Sequence, residues 1–495
     1  MGTYPKQETG PTSPGSTPRP AISKDHSANH SAPGRSELLL VGIVGIAALA
    51  RFLFLSGKSF WLDEGASVAL ARLPWHEFVE RLSTHEANMA VYYFLLRGWI
   101  QLGSSEFWIR TLSVIPGIAT IPVVYAIGKK LFDRRVGLAA ALLLSVHAGH
   151  VAYSQEARGY SLAVFFASLS CLYFLRLIEG RRRSDVALYV AFTVLAVYTH
   201  FFAALIAVAE FVSLVALPLA HIPWRRLLIS AMSIAIFCAP AAVFAVSKDV
   251  GQLAWVRRTS LKELEHAATL LTGNGPVLVV YLLLWVAAIT AAVTMWRRRS
   301  TESWHCGFVL SWLFTPLVLI LLVSIKKPIL APRFLLTSVP ASVLLAALGI
   351  FNFRRWPVRV ASLTLAVLVS VGALAGYYRK PKEDWRGLTQ YVLAQARPSD
   401  LVLIYPRWDA VAVDYYRSRY ASSTGPDFSE VAYNDTAAVT QLAPHPRIWL
   451  IIYDWRLSQD RSAQRIRNIL DQSYREAGEQ RFGDIDVLRF EARTH

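Results

Sequence analysis

Charged residues are scarce in this chain: Asp, Glu, Lys and Arg make up 17% of its 495 residues, whereas 54% are hydrophobic. A soluble domain usually carries about 25% charged residues, so the composition argues against an ordinary cytosolic enzyme. Acidic residues are the scarcer sign, with 34 Asp and Glu against 51 Lys and Arg, and the formal net charge is +17. A basic balance fits nucleic acid or a membrane surface, and the apolar content favours the membrane.

Cysteine is also rare. Cys171, Cys238 and Cys306 lie in or beside apolar runs and show no CxxC spacing, which argues against a thiolate zinc site or a disulfide framework. The sequence contains neither a Gly-rich phosphate loop nor a zinc-protease helix motif. Tryptophan, by contrast, is frequent, with 15 residues, as is typical of membrane proteins with aromatic belts at the interfaces.

Long apolar runs fill most of the chain. A spanning helix needs roughly 20 mostly apolar residues, and eleven runs approach that length. The sequence therefore predicts an α-helical polytopic membrane protein with about eleven transmembrane helices. The runs are 38–55, 107–128, 136–152, 160–178, 186–200, 201–220, 227–246, 277–296, 306–325, 333–351 and 358–377.

Both ends of the chain differ from this apolar middle. Residues 1–36 are rich in Pro, Ser, Gly and Thr and lack apolar periodicity, which predicts a disordered tail. Residues 379–495 are polar, with strand-like runs at 401–405, 447–453 and 486–492 and helical stretches at 384–397 and 461–477. This pattern predicts a small C-terminal α/β domain after a transmembrane domain at 37–378.

The positions of the basic clusters predict the orientation. If the N-terminal tail is cytoplasmic, the Lys and Arg clusters fall in successive inward loops, as the positive-inside rule requires. Counting 89–102 as a further span would reverse every later cluster, so this segment is interpreted as a helix in the plane of the interface. The first outer loop is then 56–106, and the C-terminal domain is extracytoplasmic. The clusters are Lys129-Lys130, Arg134-Arg135, Arg181–Arg183, Arg225-Arg226, Arg297–Arg299, and Arg354-Arg355 with Arg359.

Two acidic motifs in the first outer loop are candidates for chemistry. Asp63-Glu64 follows the first span, where a carboxylate can act as a general base; the alternative is a pair of solvated acids or a helix N-cap. His85-Glu86 carries residue types that bind a divalent metal or a phosphate-bound metal. The alternative for His85-Glu86 is an interfacial polar turn.

Further candidates lie at the same predicted face. Glu156 and Arg158 interrupt two apolar runs and suit a polar head group, or they form an internal ion pair in a snorkelling turn. Lys326, Lys327 and Arg333 break the positive-inside rule. They can neutralise a lipid phosphate, although a general attraction to anionic phospholipid is the alternative.

These segments, taken in order, resemble GT-C-type membrane glycosyltransferases. The nearest resemblance is to bacterial relatives of protein O-mannosyltransferases and of the aminoarabinose transferase of lipid A, in glycosyltransferase family 39. The resemblance covers about 37–400, with one departure: Glu86-Ala87-Asn88-Met89-Ala90 stands where many relatives have His-Pro-Pro. The motifs are Trp61–Glu64, His85 with Asn88–Tyr93, Ser105–Arg110, Tyr153–Tyr160, Pro332–Leu336 with Pro340, and Glu383–Arg386.

The resemblance implies an enzyme of the plasma membrane that transfers a sugar from a polyprenyl-phosphate donor to an extracytoplasmic acceptor. Asp63 would be the general base of an inverting reaction, with Glu64 beside it in the catalytic motif. Arg333, Lys326 and Lys327 would neutralise the leaving phosphate. The remaining residues implied to bind substrate are His85, Glu86, Tyr92, Glu156, Arg158 and Tyr160. No cofactor is implied with certainty, and a divalent metal at His85 and Glu86 stays open.

Two other functions compete with this interpretation. A transporter or flippase for a lipid-linked or anionic substrate would use an ionisable group near the membrane midplane, and Glu210 lies inside an apolar run. A sensor or scaffold would leave Asp63-Glu64 and Glu156–Arg158 without a role. The basic charge is explained by topology and lipid phosphate, so nucleic acid is not an expected partner.

Overall fold

The structure is a computed structural model that describes residues 2, 34–180, 182–247, 256, 258–297, 303–421, 425–433, 435, 437–440 and 444–493. Most of the predicted tail at 1–36 lies outside these residues. Trp255 and Arg257, in the segment 247–276 that the resemblance suggests as a lid, also lie outside them.

Helices make up most of the described chain. The helices before the middle of the sequence are α1 Arg35–Phe52, α2 Leu62–Arg72, α3 Trp75–Thr84, α4 Ala90–Trp99, α5 Glu106–Leu131, α6 Arg134–Ser145, α7 Ala148–Ser154, α8 Tyr160–Glu179, α9 Arg183–Thr199, α10 Ala204–Ser213 and α11 Trp224–Ser247. Those that follow are α12 Leu261–Thr272, α13 Pro276–Arg297, α14 Ser303–Ser324, α15 Val339–Asn352, α16 Trp356–Arg379, α17 Trp385–Gln395, α18 Ala410–Tyr420, α19 Ala437–Thr440, α20 Asp454–Gln459 and α21 Arg461–Ser473.

Seven helices of the described chain are long and apolar enough to cross a membrane, and α6 with α7, bent by 59°, gives up to eight. The predicted count of about eleven is therefore not confirmed. The predicted run 186–200 is a helix of 17 residues, and the run 201–220 is broken into short pieces around α10. The seven are α5, α8, α11, α13 over Pro276–Thr294, α14, α15 with the preceding 3₁₀ turn from Pro332, and α16.

The first loop folds back as helices rather than crossing the bilayer. α4 has ten residues, about 15 Å of helix, which is too short to span a hydrocarbon core of about 30 Å. It buries Tyr92, Tyr93 and Leu96. α5 begins at the end of this loop, where the Ser105 side chain accepts a hydrogen bond from the Trp108 amide and so caps the helix.

The C-terminal part contains the predicted small sheet, in the strand order β2-β1-β3-β5-β4. β1 is parallel to β2 and β3, whereas β5 is antiparallel to β3 and β4. β1, β3 and β5 are the three predicted strands; β2 and β4 were not predicted, and β4 takes up residues 474–477 of a predicted helix. The strands are β1 Leu401–Ile404, β2 Asp427–Glu430, β3 Arg447–Tyr453, β4 Tyr474–Phe482 and β5 Ile485–Ala492.

This C-terminal part packs directly on the first loop. A Cβ added at Gly65 of α2 would lie 3.0 Å from the Val411 carbonyl oxygen of α18, so the two helices meet at their backbones. Tyr415 of α18 donates a hydrogen bond to the Ser104 carbonyl, at 2.9 Å. These contacts join the sheet-bearing part to the end of the membrane helices where α2 lies. The division into domains at residue 379 stays a prediction.

We expect Gly349→Ala to lower the stability of the helical bundle. A Cβ at Gly349 would lie 2.0 Å from the Leu284 carbonyl oxygen of α13, and overpacking of this kind typically costs about 1–3 kcal/mol. Thermal unfolding of the full chain in detergent, followed by tryptophan fluorescence, measures the effect.

Gly372→Ala is the matched control for this helix–helix contact. No atom lies within 4 Å of a Cβ added at Gly372, and alanine is the better helix former. Equal melting temperatures for the two variants would contradict the close contact at Gly349.

Candidate active site

The buried ion pair between Glu64 and Arg110 fixes the beginning of α2. The Glu64 side chain is fully buried, and Arg110 donates to both of its oxygens at 2.8 Å. Arg110 also donates to the carbonyl groups of Leu55, Lys58 and Ser59, at 2.7–3.0 Å. The guanidinium thus ties the loop after α1 to both α2 and α5.

Glu64 has further partners that keep it ionised. The Ala157 amide donates to Glu64 Oε1 at 2.8 Å, and Lys382 Nζ lies 3.6 Å from Oε2. Burial alone would raise the pKa of Glu64, but Arg110, Lys382 and these hydrogen bonds outweigh burial and lower the pKa below its ordinary value. With no exposed surface and both oxygens occupied, Glu64 stabilises the structure and is not placed to touch a substrate. This position differs from the catalytic assignment that the resemblance implied.

Asp63, the neighbouring residue, faces a cavity instead. Its side chain is 28% exposed and forms part of the wall of a cavity of about 760 Å³. The cavity lies between α2, α3, the start of α4 and the C-terminal part. Its described lining comprises Asp63, Ala66, Ala69, Leu70, Leu73, Glu77, Glu80, Arg81, Thr84, His85, Glu86, Tyr93, Arg158, Trp408 and Val411.

Two arginines flank the Asp63 carboxylate. Arg333 Nη1 lies 3.2 Å from Asp63 Oδ2 and Arg158 Nη2 lies 4.0 Å from the same oxygen. Arg333 comes from the 3₁₀ turn Pro332–Ser338. Arg158 is oriented by hydrogen bonds to Ser67 Oγ and the Tyr93 hydroxyl, at 3.2 and 3.1 Å. The sequence motifs of three distant segments therefore meet at one carboxylate.

Glu86 places a further carboxyl group in the same cavity, beside Asp63, Glu77 and Glu80. Burial raises the pKa of Glu86 above its ordinary value, and the nearby Arg158 opposes this shift only in part. His85 also lines the cavity, and its Nδ1 lies 2.6 Å from Thr84 Oγ1. Among the described residues, no group of three or more His, Cys, Asp and Glu side chains is arranged to hold a metal ion, so His85 and Glu86 lack the further protein ligand expected of a metal site.

Glu156 is not part of the cavity lining and instead pairs with Lys382. Its Oε1 accepts a hydrogen bond from Lys382 at 3.2 Å, and Lys382 thereby bridges Glu156 and Glu64. Burial raises the pKa of Glu156, and Lys382 opposes the shift. Lys382 and the wall residues Trp408 and Val411 were not predicted from the sequence. Lys382 carried a usable signal, because it belongs to a basic segment at the predicted outer end of the last span.

Six of the nine predicted binding residues are not in the lining of this cavity. They are Glu156 and Arg333, which contact Lys382 and Asp63 respectively, and Tyr92, Tyr160, Lys326 and Lys327. Tyr92 is buried, with its hydroxyl 3.2 Å from Ser113 Oγ, because α4 turns this ring into the protein. Tyr160 starts α8 and packs beside His200, with 5.5 Å between the ring centroids. Lys326 lines a different cavity of about 780 Å³ together with Arg258 and Thr259, and Lys327 is exposed in the turn after α14. The structure thus does not bring the two lysines to Asp63 together with Arg333.

Glu210, the ionisable residue inside an apolar run, is satisfied locally. Its two carboxyl oxygens accept hydrogen bonds from Ser170 and Tyr189, at 2.9 and 2.8 Å. The side chain is buried between α8, α9 and α10. This arrangement is that of an interhelical contact, and it gives the transporter interpretation no support.

Comparison with known proteins supports the resemblance. Residues 89–247 match the family model described as dolichyl-phosphate-mannose-protein mannosyltransferase. No individual curated protein sequence matches the chain.

Solved structures extend the similarity to nearly the whole fold. ArnT from Cupriavidus metallidurans, in its apo state and bound to undecaprenyl phosphate, superposes with a TM-score of 0.59 at 13% identity, covering 91% of this chain and 97% of ArnT. The archaeal oligosaccharyltransferase AglB from Archaeoglobus fulgidus, in complex with an inhibitory peptide and a dolichol-phosphate, gives a TM-score of 0.56 at 11% identity, covering 89% of this chain and 72% of AglB. These matches show that the chain has an ArnT-like GT-C fold, as its sequence motifs predicted.

Proposed function

We propose that the chain transfers a sugar from a polyprenyl-phosphate donor to an acceptor hydroxyl in the Asp63 cavity. The observation that carries this proposal is the position of Asp63, a carboxylate in the cavity wall with Arg333 at 3.2 Å and Arg158 at 4.0 Å. Similar structures supply the donor class, since ArnT has been crystallised with undecaprenyl phosphate and AglB with a dolichol-phosphate.

The proposed reaction is a single displacement with inversion. Asp63 accepts the proton of the acceptor hydroxyl while the acceptor oxygen attacks the anomeric carbon from the face opposite the phosphate. The bond between the anomeric carbon and the phosphate oxygen breaks, and its electron pair leaves with the lipid phosphate. A phosphate leaving group needs positive charge rather than a proton, because charge develops on its oxygens.

Arg333 and Arg158 are the groups proposed to supply that charge. Arg158 stays cationic although it is buried: burial lowers its pKa, but Tyr93, Tyr160 and Asp63 outweigh burial and raise it well above the ordinary value. Guanidinium groups bind phosphate oxygens in a bidentate manner. In the donor-bound state the phosphate would take over part of the contact that Arg333 makes with Asp63.

Glu86 is proposed to orient a sugar or acceptor hydroxyl. Its carboxyl group forms part of the cavity wall, where its oxygens can accept a hydrogen bond from such a hydroxyl. His85 stands beside it at the cavity rim. The divalent metal that the resemblance leaves open at His85 and Glu86 is not part of this proposal.

We propose a plasma-membrane location with the Asp63 cavity and residues 379–495 outside the cytoplasm. The helix directions support this orientation. α5 runs from Glu106, which contacts Arg386 and Tyr416 of the C-terminal part, to Lys129 and Lys130 at the opposite end. The basic residues Arg354 and Arg355 also lie at that opposite end, between α15 and α16, where the positive-inside rule places the cytoplasm.

Asp63→Asn is expected to abolish most turnover, because the amide cannot accept the acceptor's proton. A general base contributes roughly 10²–10⁴-fold, so release of polyprenyl phosphate from a polyprenyl-phosphate sugar should fall by that factor. The assay needs the purified full chain, the donor and an envelope extract as acceptor source. Glu479→Gln, an exposed carboxylate on β4, is the control and should leave turnover unchanged. Full activity in Asp63→Asn would refute the proposed base.

Glu64→Gln is expected to act on stability instead. Breaking a buried ion pair by changing one partner typically costs about 3–5 kcal/mol, and here Arg110 would lose the charge of the carboxylate that it contacts at 2.8 Å. Thermal unfolding in detergent should therefore show a large drop for Glu64→Gln and little change for Asp63→Asn. The reverse order would mean that the roles of these neighbouring acids are exchanged.

Arg333→Gln tests the phosphate contact. Removing one group that stabilises developing charge typically costs about 10²–10³-fold in kcat, and donor turnover should fall by that order. Lys327→Gln removes the same charge from the exposed turn, outside the cavity, and is expected to change turnover little. An equal loss in both variants would place the donor phosphate at the turn instead.

A further inference from the structure

A second charged cavity, of about 470 Å³, lies where the last membrane helix ends. It is formed by the loop after α1, the end of α16 and the beginning of α17, and it shares no lining residue with the Asp63 cavity. Its lining carries five cationic and two acidic side chains. The described lining is Gly57, Lys58, Ser59, Tyr378, Arg379, Lys380, Pro381, Lys382, Glu383, Asp384, Arg386, Gly387 and Gln390.

Both acids and two of the cations already have partners. Lys382 binds Glu156 at 3.2 Å, and Arg386 pairs with Glu106. The Asp384 side chain caps α17 by accepting the Gly387 amide at 2.9 Å, and Glu383 accepts the indole N–H of Trp385 at 3.0 Å. Glu383 and Asp384 therefore form these hydrogen bonds rather than ion pairs with the remaining cations of the lining.

The other three cations of the lining are Lys58, Arg379 and Lys380. Within the described part of the chain, none of the three forms an ion pair with a carboxylate. Lys58 Nζ donates to the Tyr377 carbonyl at 2.7 Å. Burial lowers the pKa of Lys58, and repulsion by Lys382, Arg110 and Lys380 lowers it further. Among the described residues, cationic side chains thus outnumber acidic ones in this cavity, by five to two.

Apolar and aromatic side chains adjoin this cavity. Phe54 is 63% exposed and Leu53 is 41% exposed, directly after α1. The Phe54 ring packs at 5.6 Å from Tyr378, which lines the cavity. Phe54 also adopts φ 57°, in the left-handed region that a bulky side chain rarely occupies. The exposed Phe54 ring is therefore held beside this cavity although the backbone conformation at Phe54 is unfavourable for a bulky residue.

We propose that this cavity binds the phosphate headgroup of an anionic membrane lipid, with Lys58, Arg379 and Lys380 on the phosphate and Phe54, Leu53 and Tyr378 against the hydrocarbon. Cations and exposed apolar side chains side by side at the end of a spanning helix match an amphiphile. A free phosphate ion would use the cations and leave the aromatic rim without a role. The site is separate from the proposed sugar transfer, because its lining shares no residue with the Asp63 cavity.

The test measures lipid binding by the full chain in detergent micelles, using fluorescent phosphatidylglycerol, with fluorescent phosphatidylcholine as the uncharged comparison. The variant Lys58→Gln/Arg379→Gln/Lys380→Gln should bind phosphatidylglycerol on the order of 100-fold more weakly, since each cation near a membrane surface is worth about fivefold. The matched control Arg225→Gln/Arg354→Gln/Arg355→Gln removes three exposed cations at the other ends of the helices. It should retain binding.

Two further measurements keep the proposal falsifiable. Lys380 is exposed, so Lys380→Gln alone should fold and still weaken binding about fivefold if the triple variant does not fold. Phe54→Ser should weaken lipid binding without changing the much weaker binding of inorganic phosphate. Equal loss in the control triple variant, unchanged binding in Lys380→Gln, or displacement of the lipid by an equal concentration of inorganic phosphate would each overturn the proposal.

Discussion

The buried pair of Glu64 and Arg110 is the constraint on which the rest of the site depends. One guanidinium, donating to Glu64 and to three carbonyl groups of the loop after α1, fixes where α2 begins. The Ala157 amide completes the shell around Glu64 and so places the adjacent Arg158. Because consecutive helical residues point about 100° apart, burying Glu64 turns Asp63 towards the cavity. Of these two adjacent acids, Glu64 thus stabilises the structure, and Asp63 is left to take the proposed catalytic role.

The sequence motifs predicted which segments meet but not which side chains face the cavity. Asp63, Arg158 and Arg333 come together from motifs whose order is typical of the fold, whereas Glu86, at the departure from the family pattern, lines the same cavity. Glu64 was assigned by adjacency, and adjacency does not determine direction at a helix start. Lys326 and Lys327 were grouped with Arg333 because all three break the positive-inside rule, but that rule reports the side of the membrane and not the distance between residues.

The fold was predictable where hydropathy is strong and less so where it is weak. Apolar runs identified the long helices, whereas the predicted count is not confirmed. At 186–220 a 17-residue helix and a broken helix replace two full spans, and α1 and the bent pair of α6 and α7 are not among the seven long helices of the described chain. In the sheet, the buried strands β1, β3 and β5 were predicted from their apolar runs. The edge strands β2 and β4 are mostly polar and partly exposed, so their pattern carries no period that distinguishes a strand from a helix or loop.

The packing of α18 on α2 makes the cavity a composite of two parts of the chain. Trp408 and Val411 form part of the wall that Asp63 also lines, and Gly65 leaves no room for a side chain between the two helices. The polar C-terminal part therefore forms part of the wall of the cavity in which sugar transfer is proposed. Changes on its surface can reshape the space offered to an acceptor while the membrane helices, and the arginines they position, keep the same reacting geometry.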